Sequence, residues 1–170
     1  MDEMGVATHV MYPFMFLRPL ARHPEVEVAL ARGYNRWLAS IWAQEEQRLR
    51  WTVIVPTLEM DLANEELHYG KEHGACGLFM RGIEGEHRLT DPYLFPLWAE
   101  AEKLDMPICI HAAMGNFAFF DYFGRDEGLS TFKLSAVGAF HDIIMKTCTN
   151  AFPTCAGGSS RSVHRGCRTP

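Results

Sequence analysis

The side chain with the clearest chemical potential in the sequence is His111, which directly follows the short apolar run PICI at residues 107–110. A histidine that leaves a buried strand into a loop can present a neutral ring nitrogen to a metal ion. The alternative is a core histidine bonded to the backbone, which position alone favours. A catalytic metal takes about three protein ligands, and the sequence contains no H-x-H, H-E-x-x-H or G-x-S-x-G motif. The chain as it stands therefore lacks a complete active site.

Arg81 occupies the same kind of position, immediately after the apolar run CGLFM at residues 76–80. Its planar guanidinium could hold a carboxylate by a two-pronged contact. The alternative is an ion pair within the chain, with Glu84 or Glu86. The sequence leaves both interpretations open.

The segment after His111 combines an amide with a dense aromatic run. Asn116 lies five residues beyond the histidine. The aromatic run could form the roof of a substrate pocket, or it could be a loop packed on the sheet, which we slightly favour. Its members are Phe117, Phe119, Phe120, Tyr122 and Phe123.

Strand and helix patterns alternate through residues 1–154. Short apolar strands separated by longer helical segments are typical of βαβ units and a parallel sheet, whose active residues lie at the C-terminal ends of the strands. Four such units predict an α/β fold that is part of a (β/α)8 barrel. An open doubly wound sheet is the rival, but no G-x-G-x-x-G motif follows any strand. The predicted strands cover residues 6–12, 51–55, 76–80 and 107–110, and the predicted helices cover 24–49, 61–73, 92–104 and 131–146.

The first predicted helix carries apolar residues at steps of three and four, which indicate one buried face. These residues are Val26, Leu30, Tyr34, Trp37 and Ile41. The second helix is predicted to be capped by Asp61, and the third by Asp91.

Composition excludes several classes of protein. With 48% hydrophobic and 22% charged residues over 170 positions, the chain resembles an ordinary globular domain. The sequence has no apolar run of the ~20 residues that a membrane span needs and no signal-peptide pattern. A net charge of −5 argues against a nucleic-acid partner. Five cysteines without a C-x-x-C pair predict reduced thiols and a cytoplasmic location.

Residues 155–170 differ from everything before them. The segment CAGGSSRSVHRGCRTP holds three arginines, no acidic residue and a single branched aliphatic. Such a composition cannot bury enough apolar surface to offset the entropy of ordering, so we predict a disordered tail after a domain of residues 1–154.

Several segments dispersed over residues 1–154 together resemble the amidohydrolase-related family, which includes aminocarboxymuconate semialdehyde decarboxylase. The resemblance implies a metal-dependent (β/α)8 barrel whose members decarboxylate or hydrolyse small, often aromatic, carboxylates. Zinc is the usual metal in that family, with manganese or iron in some members. The segments are MDEMGVATHVMYP (1–13), GYNRWLA (33–39), GACGLFMRG (74–82), PICIHAAMGN (107–116) and NAFPT (150–154).

The resemblance assigns roles to the candidate residues. Aligned by order, the four predicted strands resemble the second to fifth strands of the family barrel, which places His111 at the family's third metal position. Arg81, Asn116 and Phe117 become candidate substrate contacts. The family's H-x-H pair is then expected upstream of residue 1 and its aspartate beyond residue 170. We therefore expect this chain alone to be inactive and to retain little of the divalent metal, most simply zinc.

Two hypotheses follow from the resemblance. The chain is a fragment of a metal-dependent hydrolase or non-oxidative decarboxylase, or it is an inactive half-barrel that binds a small carboxylate or a protein partner. Half a barrel leaves strand edges unpaired, so we also expect self-association.

The tail carries a further expectation, that it is read out of frame. In the family, N-x-F-P-x is commonly followed by a strand resembling L-R-W-G-F-I-E. With a suitable choice of codons, the bases from the third position of codon 154 onward encode LRWGFIEVGAQGVPYP in the shifted frame. The composition changes at this same junction.

Overall fold

The computed structural model describes residues 1–19, 21–44, 48–123 and 128–146. Its strands are β1 (His9–Met11), β2 (Leu49–Val53), β3 (Ala75–Arg81), β4 (Ile83–Glu84), β5 (His87–Arg88) and β6 (Ile108–His111). Its α-helices are α1 (Pro24–Gln44), α2 (Met60–Glu72), α3 (Phe95–Lys103), α4 (Phe117–Phe123) and α5 (Leu134–Asp142). A π-helical turn, Leu129–Lys133, leads into α5.

Four strands form one parallel sheet in the order β1-β2-β3-β6, and β4 and β5 form a separate antiparallel hairpin. The sheet is strongly curled. Tyr12 follows one outer strand and His111 ends the other, yet their ring centroids lie 5.5 Å apart. The predicted α/β half-barrel of four parallel strands is confirmed.

The main core lies between this sheet and helices α1, α2 and α3. Apolar strand residues that point outward from the curl are covered by the helices, as in a barrel built from βα units. Its fully buried members include Leu38, Trp51, Val53, Leu67, Leu78 and Leu97.

The prediction for the buried face of α1 is wrong for three of its five residues, whereas Tyr34 and Ile41 are partly buried against the core. Val26, Leu30 and Trp37 are exposed, and the buried face is rotated by one residue, or about 100° around the helix axis. Small residues let α1 approach the sheet closely, and two polar residues are buried with them. The buried residues of α1 are Glu27, Val28, Ala31, Asn35, Leu38 and Ala39.

The predicted helix boundaries also need correction. Helix α1 ends at Gln44 rather than 49, and Leu49 begins β2. The N-cap position of α2 is Glu59, so Asp61 lies inside the first turn. Asp91 does cap its segment, because its Oδ1 accepts a hydrogen bond of 2.9 Å from the Tyr93 amide.

The aromatic run after His111 is not a loop. Residues Phe117–Phe123 form helix α4. The predicted tail, residues 155–170, lies outside the described residues, as does NAFPT at 150–154. In the part of the chain that the structure describes, no helix is both long and apolar enough to cross a bilayer.

Candidate active site at the C-terminal ends of the strands

His111 is the last residue of β6 and is half-buried. Its ring lies between two aromatic neighbours, with centroids 5.5 Å from Tyr12 and 5.8 Å from Phe79. Nδ1 lies 3.3 Å from the carbonyl oxygen of Ala112. If Nδ1 carries the proton and donates it there, the lone pair of Nε2 is left to coordinate a metal ion.

Arg81 ends β3 and lies opposite His111 in the register of the two strands. Its side chain is buried against Glu84: Nε lies 3.1 and 2.9 Å from the two carboxylate oxygens. Only 5% of the Arg81 side chain and 2% of the Glu84 side chain are exposed. Nη1 donates a 2.6 Å hydrogen bond to the carbonyl oxygen of Arg18. The intrachain ion pair is thus present, and a substrate contact through Arg81 stays a prediction.

The side chain of Asn116 forms hydrogen bonds with α4 and with the turn between β4 and β5. Its Oδ1 accepts a 2.7 Å hydrogen bond from the Phe119 amide, so it caps the start of α4. Its Nδ2 donates to the carbonyl oxygen of Gly85 at 2.8 Å and to the Glu86 carboxylate at 3.1 Å. Asn116 therefore ties α4 to the β4–β5 turn, and its substrate role stays a prediction.

Helix α4 packs against the segment that follows β1. The guanidinium of Arg22 lies 4.2 Å from the centre of the Phe117 ring, and that of Arg18 lies 4.8 Å from Phe120. Arg22 also approaches Asp121 at 3.6 Å. Phe117 thus faces an arginine of its own chain, and its substrate role is likewise untested by this geometry.

A second buried carboxyl lies beside the Arg81–Glu84 pair. Glu27, in the first turn of α1, accepts hydrogen bonds from the Leu58 amide at 2.8 Å and the Thr57 hydroxyl at 3.3 Å. Burial raises the pKa of the Glu27 carboxyl, although the Leu58 amide and the Arg81 charge oppose that shift. The sequence analysis did not predict a role for Glu27. The available signal was its position directly after Val26, a residue of the predicted apolar face.

Arg81 and Glu84 border a small pocket at the C-terminal ends of β2 and β3, a cavity of about 10 Å³. Its wall is apolar on one side and charged on the other. It is lined by Phe16, Ile54, Val55, Thr57, Phe79, Met80, Arg81 and Glu84.

The sequence matches the family model described as Amidohydrolase over residues 6–151. This match covers most of the chain. The chain belongs to the amidohydrolase family. Among curated proteins, none matches it.

Several solved structures similar to this amidohydrolase-family chain are decarboxylases. One is 2,6-dihydroxybenzoate decarboxylase from Rhizobium, 24% identical over 76% of this chain, with a TM-score of 0.61. Another is 5-carboxyvanillate decarboxylase from Novosphingobium aromaticivorans, solved with bound manganese and 3-methoxy-4-hydroxy-5-nitrobenzoic acid, 20% identical over 85% of this chain, TM-score 0.70. The Sphingomonas paucimobilis enzyme of the same name is 19% identical over 90% of this chain, TM-score 0.67. At these identities the likeness concerns the fold.

The amidohydrolase-family chain spans less than half the length of these structures: 42% of the first two and 47% of the third. Within its described residues, no group of three or more His, Cys, Asp or Glu side chains could hold a metal ion. The role of His111 as a metal ligand stays a prediction. The described half of the barrel therefore does not fit a complete metal centre.

In this amidohydrolase-family chain, the buried amide of Asn35 and the buried carboxylate of Glu66 connect the elements below the site. The sequence analysis did not predict either residue. The Asn35 Nδ2 donates to the Ile54 carbonyl and to the Glu66 carboxylate, each at 2.8 Å. The Asn35 Oδ1 accepts from the Ile54 amide at 3.2 Å. Glu66 also pairs with Arg32 at 3.3 Å and with Arg36. These contacts fix the end of β2 relative to α1 and α2.

The raised pKa of Glu27 predicts a pH dependence of stability. A carboxyl whose pKa is higher in the folded state binds more protons there, so stability falls as pH rises from the ordinary value of 4.5 through the folded value. We expect Glu27→Gln to flatten this decline, because the glutamine amide does not titrate. The amide can still pair with Leu58 and Thr57, so the hydrogen bonds of this position are kept. Urea unfolding at several pH values between 4 and 8 measures it. Glu25→Gln, exposed on the same turn, is the control; an equal flattening there would contradict the prediction.

Proposed function

We propose that this chain is part of a metal-dependent decarboxylase or hydrolase that acts on a small aromatic carboxylate. The observation that carries the proposal is the pairing of Arg81 and His111, opposite each other at the C-terminal ends of neighbouring parallel strands, in a chain of the amidohydrolase family. Active residues of such barrels lie at these ends. Arg81 would orient the substrate carboxylate, and His111 would be one metal ligand.

The remaining parts of the proposal rest on position and on the relatives. Asn116 and Phe117 would contact the substrate from the start of α4 if the cap and the arginine contact rearrange. A divalent metal is proposed, and the manganese bound in the Novosphingobium aromaticivorans structure supports manganese as a candidate beside zinc. The cysteine usage supports a cytoplasmic location.

The first test concerns metal binding, because one histidine holds a metal only weakly. We expect elemental analysis of the purified, desalted chain to find well under one metal per chain. In a Mn²⁺ titration followed by NMR, the His111 ring protons should broaden first, and His111→Ala should remove that effect. His141→Ala, an exposed histidine on α5, is the control. One tightly held zinc per chain would sink this prediction.

The second test concerns activity, with 2,6-dihydroxybenzoate and 5-carboxyvanillate as probes. A complementing polypeptide would supply the H-x-H pair and the aspartate. We expect CO2 release to require both chains together with Mn²⁺ or Zn²⁺, and to be lost in His111→Ala. The alternative function is an inactive half-barrel that binds a small carboxylate or a protein partner. Tight carboxylate binding that chelators leave unchanged, without CO2 release, would support that alternative.

We also propose that the chain associates with itself through its sheet edges. Among the described residues, β1 pairs only with β2, and β6 pairs only with β3. Each outer strand thus presents backbone donors and acceptors that can pair with another strand. Light scattering is expected to find species larger than a monomer at micromolar concentration. A sharp, reversible unfolding transition of a monomer would contradict this expectation.

We also propose that the folded domain ends at residue 154. The family match ends at residue 151, three residues before the change in composition. The proposal that residues 155–170 are read out of frame is tested by the gene sequence. An open shifted frame that encodes an apolar strand, and further downstream an aspartate at a strand end, supports it; early stop codons reject it.

A further inference from the structure

Residues 12–19 cross the C-terminal ends of three sheet strands. The carbonyl oxygen of Leu17 accepts a 2.9 Å hydrogen bond from the Met114 amide, just beyond β6. The carbonyl oxygen of Arg18 accepts the 2.6 Å hydrogen bond from Arg81 at the end of β3. We call residues 12–19 the crossing segment. It is held mainly through its second half, since Phe14 and Met15 are 80% and 83% exposed.

The ring of Phe16 forms part of the wall of the pocket at the strand ends. It packs with the apolar cluster of Ile54 and Phe79, and it meets Tyr34 edge to face with centroids 5.1 Å apart. The space that remains is about 10 Å³, which is about what one water molecule needs. In this conformation the pocket therefore cannot admit an aromatic ring other than that of Phe16.

The crossing segment places two groups together in the pocket region. A phenyl ring lies against the apolar wall, and two residues later a carbonyl oxygen lies on Nη1 of the Arg81 guanidinium. A ring and an oxygen acceptor are also what an aromatic carboxylate presents. The other edge of the guanidinium is held by Glu84, so Arg81 keeps its place when the crossing segment leaves.

We infer that the crossing segment occupies, in the structure described here, the place in this pocket that the aromatic carboxylate of the proposed function takes, so that the ligand must displace it. The inference rests on the proposed function and deepens it. The ligand ring takes the place of Phe16, and the ligand carboxylate takes the place of the Arg18 carbonyl oxygen on Arg81. A carboxylate forms a stronger, charge-assisted hydrogen bond to a guanidinium than a neutral carbonyl does.

The test is a binding titration of the full chain with benzoate in the presence of a chelator. Because Phe16→Ala removes the competing ring, we expect its dissociation constant for benzoate to be about tenfold lower than that of the wild type. Benzyl alcohol, which has the ring without the charge, should gain much less. Phe14→Ala, an exposed phenylalanine of the same segment, should bind benzoate like the wild type.

A second measurement uses the wild-type chain and does not depend on the folding of a variant. The amides of Phe16 and Leu17 are hydrogen-bonded to the carbonyls of Pro13 and Phe14. Saturating benzoate should accelerate hydrogen exchange at these two amides, because displacement opens that turn. Unchanged or slowed exchange, equal benzoate affinity in a folded Phe16→Ala, or an equal gain for benzyl alcohol would overturn the inference.

The outcome is independent of turnover, because the chelator removes any metal. A chain that binds benzoate in this manner but never releases CO2 with its complement would retain this inference and refute the proposed reaction. CO2 release together with an immobile crossing segment would do the reverse.

Discussion

Replacing Glu84 by alanine is expected to lower the free energy of unfolding by about 3–5 kcal/mol, because it leaves the Arg81 guanidinium buried without its counter-charge. Both side chains are almost fully inaccessible to water. Glu84 also accepts a 2.6 Å hydrogen bond from the Arg81 backbone amide, so the substitution removes a main-chain contact at the end of β3 as well. Urea denaturation followed by circular dichroism measures the change.

Lys103→Ala is the matched control for the Glu84 prediction. Lys103 pairs with Glu100 at 2.6 Å, but its side chain is 70% exposed, and exposed ion pairs contribute about 0–1 kcal/mol. The double substitution Arg81→Met with Glu84→Leu should recover much of the loss, since no charge is then left buried. A loss below ~1 kcal/mol in Glu84→Ala would show that water reaches the pair.

Removal of the Asn35 side chain amide is the second substitution for which we expect a large effect. Asn35→Ala deprives the Ile54 amide and carbonyl of their side-chain partner and removes a donor from the Glu66 carboxylate. Each of the two Ile54 backbone groups left unpaired costs about 1–3 kcal/mol, so a total loss of about 2–6 kcal/mol is expected. Thermal and urea unfolding of the full chain measure it.

The control for Asn35 lies on the same helix. Ser40 is exposed and its hydroxyl donates to the Trp37 carbonyl within α1, so Ser40→Ala should change the stability by less than about 0.5 kcal/mol. Asn35→Asp should be nearly as damaging as Asn35→Ala, because a carboxylate cannot donate to the Ile54 carbonyl. Full stability in Asn35→Asp would contradict the role assigned to the amide.

The parallel sheet and the position of His111 could be predicted from the sequence for a simple physical reason. Strands buried on both faces consist almost wholly of apolar residues, and short apolar runs are easy to recognise. The end of such a run then places the next polar residue at the mouth of the sheet. That reasoning located both Arg81 and His111, which the structure pairs in register.

The face of α1 could not be predicted in the same way. Two periodic sets of residues lie one position apart along α1, and apolar character alone favours the set that contains Val26, Leu30 and Trp37. The structure buries the set that contains Glu27 and Asn35, because their hydrogen bonds to the segment after β2 and to α2 can be made only from that face. A partner for a buried polar group comes from elsewhere in the fold, and periodicity does not contain this information.

Helix α4 was missed although a signal was present. The sequence analysis treats the five aromatic residues of this segment as part of a loop. Asn116 is a favourable N-cap residue, and its Oδ1 does accept from the Phe119 amide. Attention to the cap rather than to the aromatic rings would have predicted the helix.

The strictly parallel sheet has a consequence for the order in which the chain folds. Residues paired between β2 and β3, such as Val53 and Leu78, are 25 positions apart, whereas His9 and Leu49 of β1 and β2 are 40 apart. The longer closure loses about 0.4 kcal/mol more chain entropy, and β1 offers only three residues in return. Pairing of β2 with β3 around α2 should therefore come first in the transition state. The amino-terminal strand, with the segment that crosses the pocket, then joins last. Because the pairings of a parallel sheet are non-local, we expect folding to be slow.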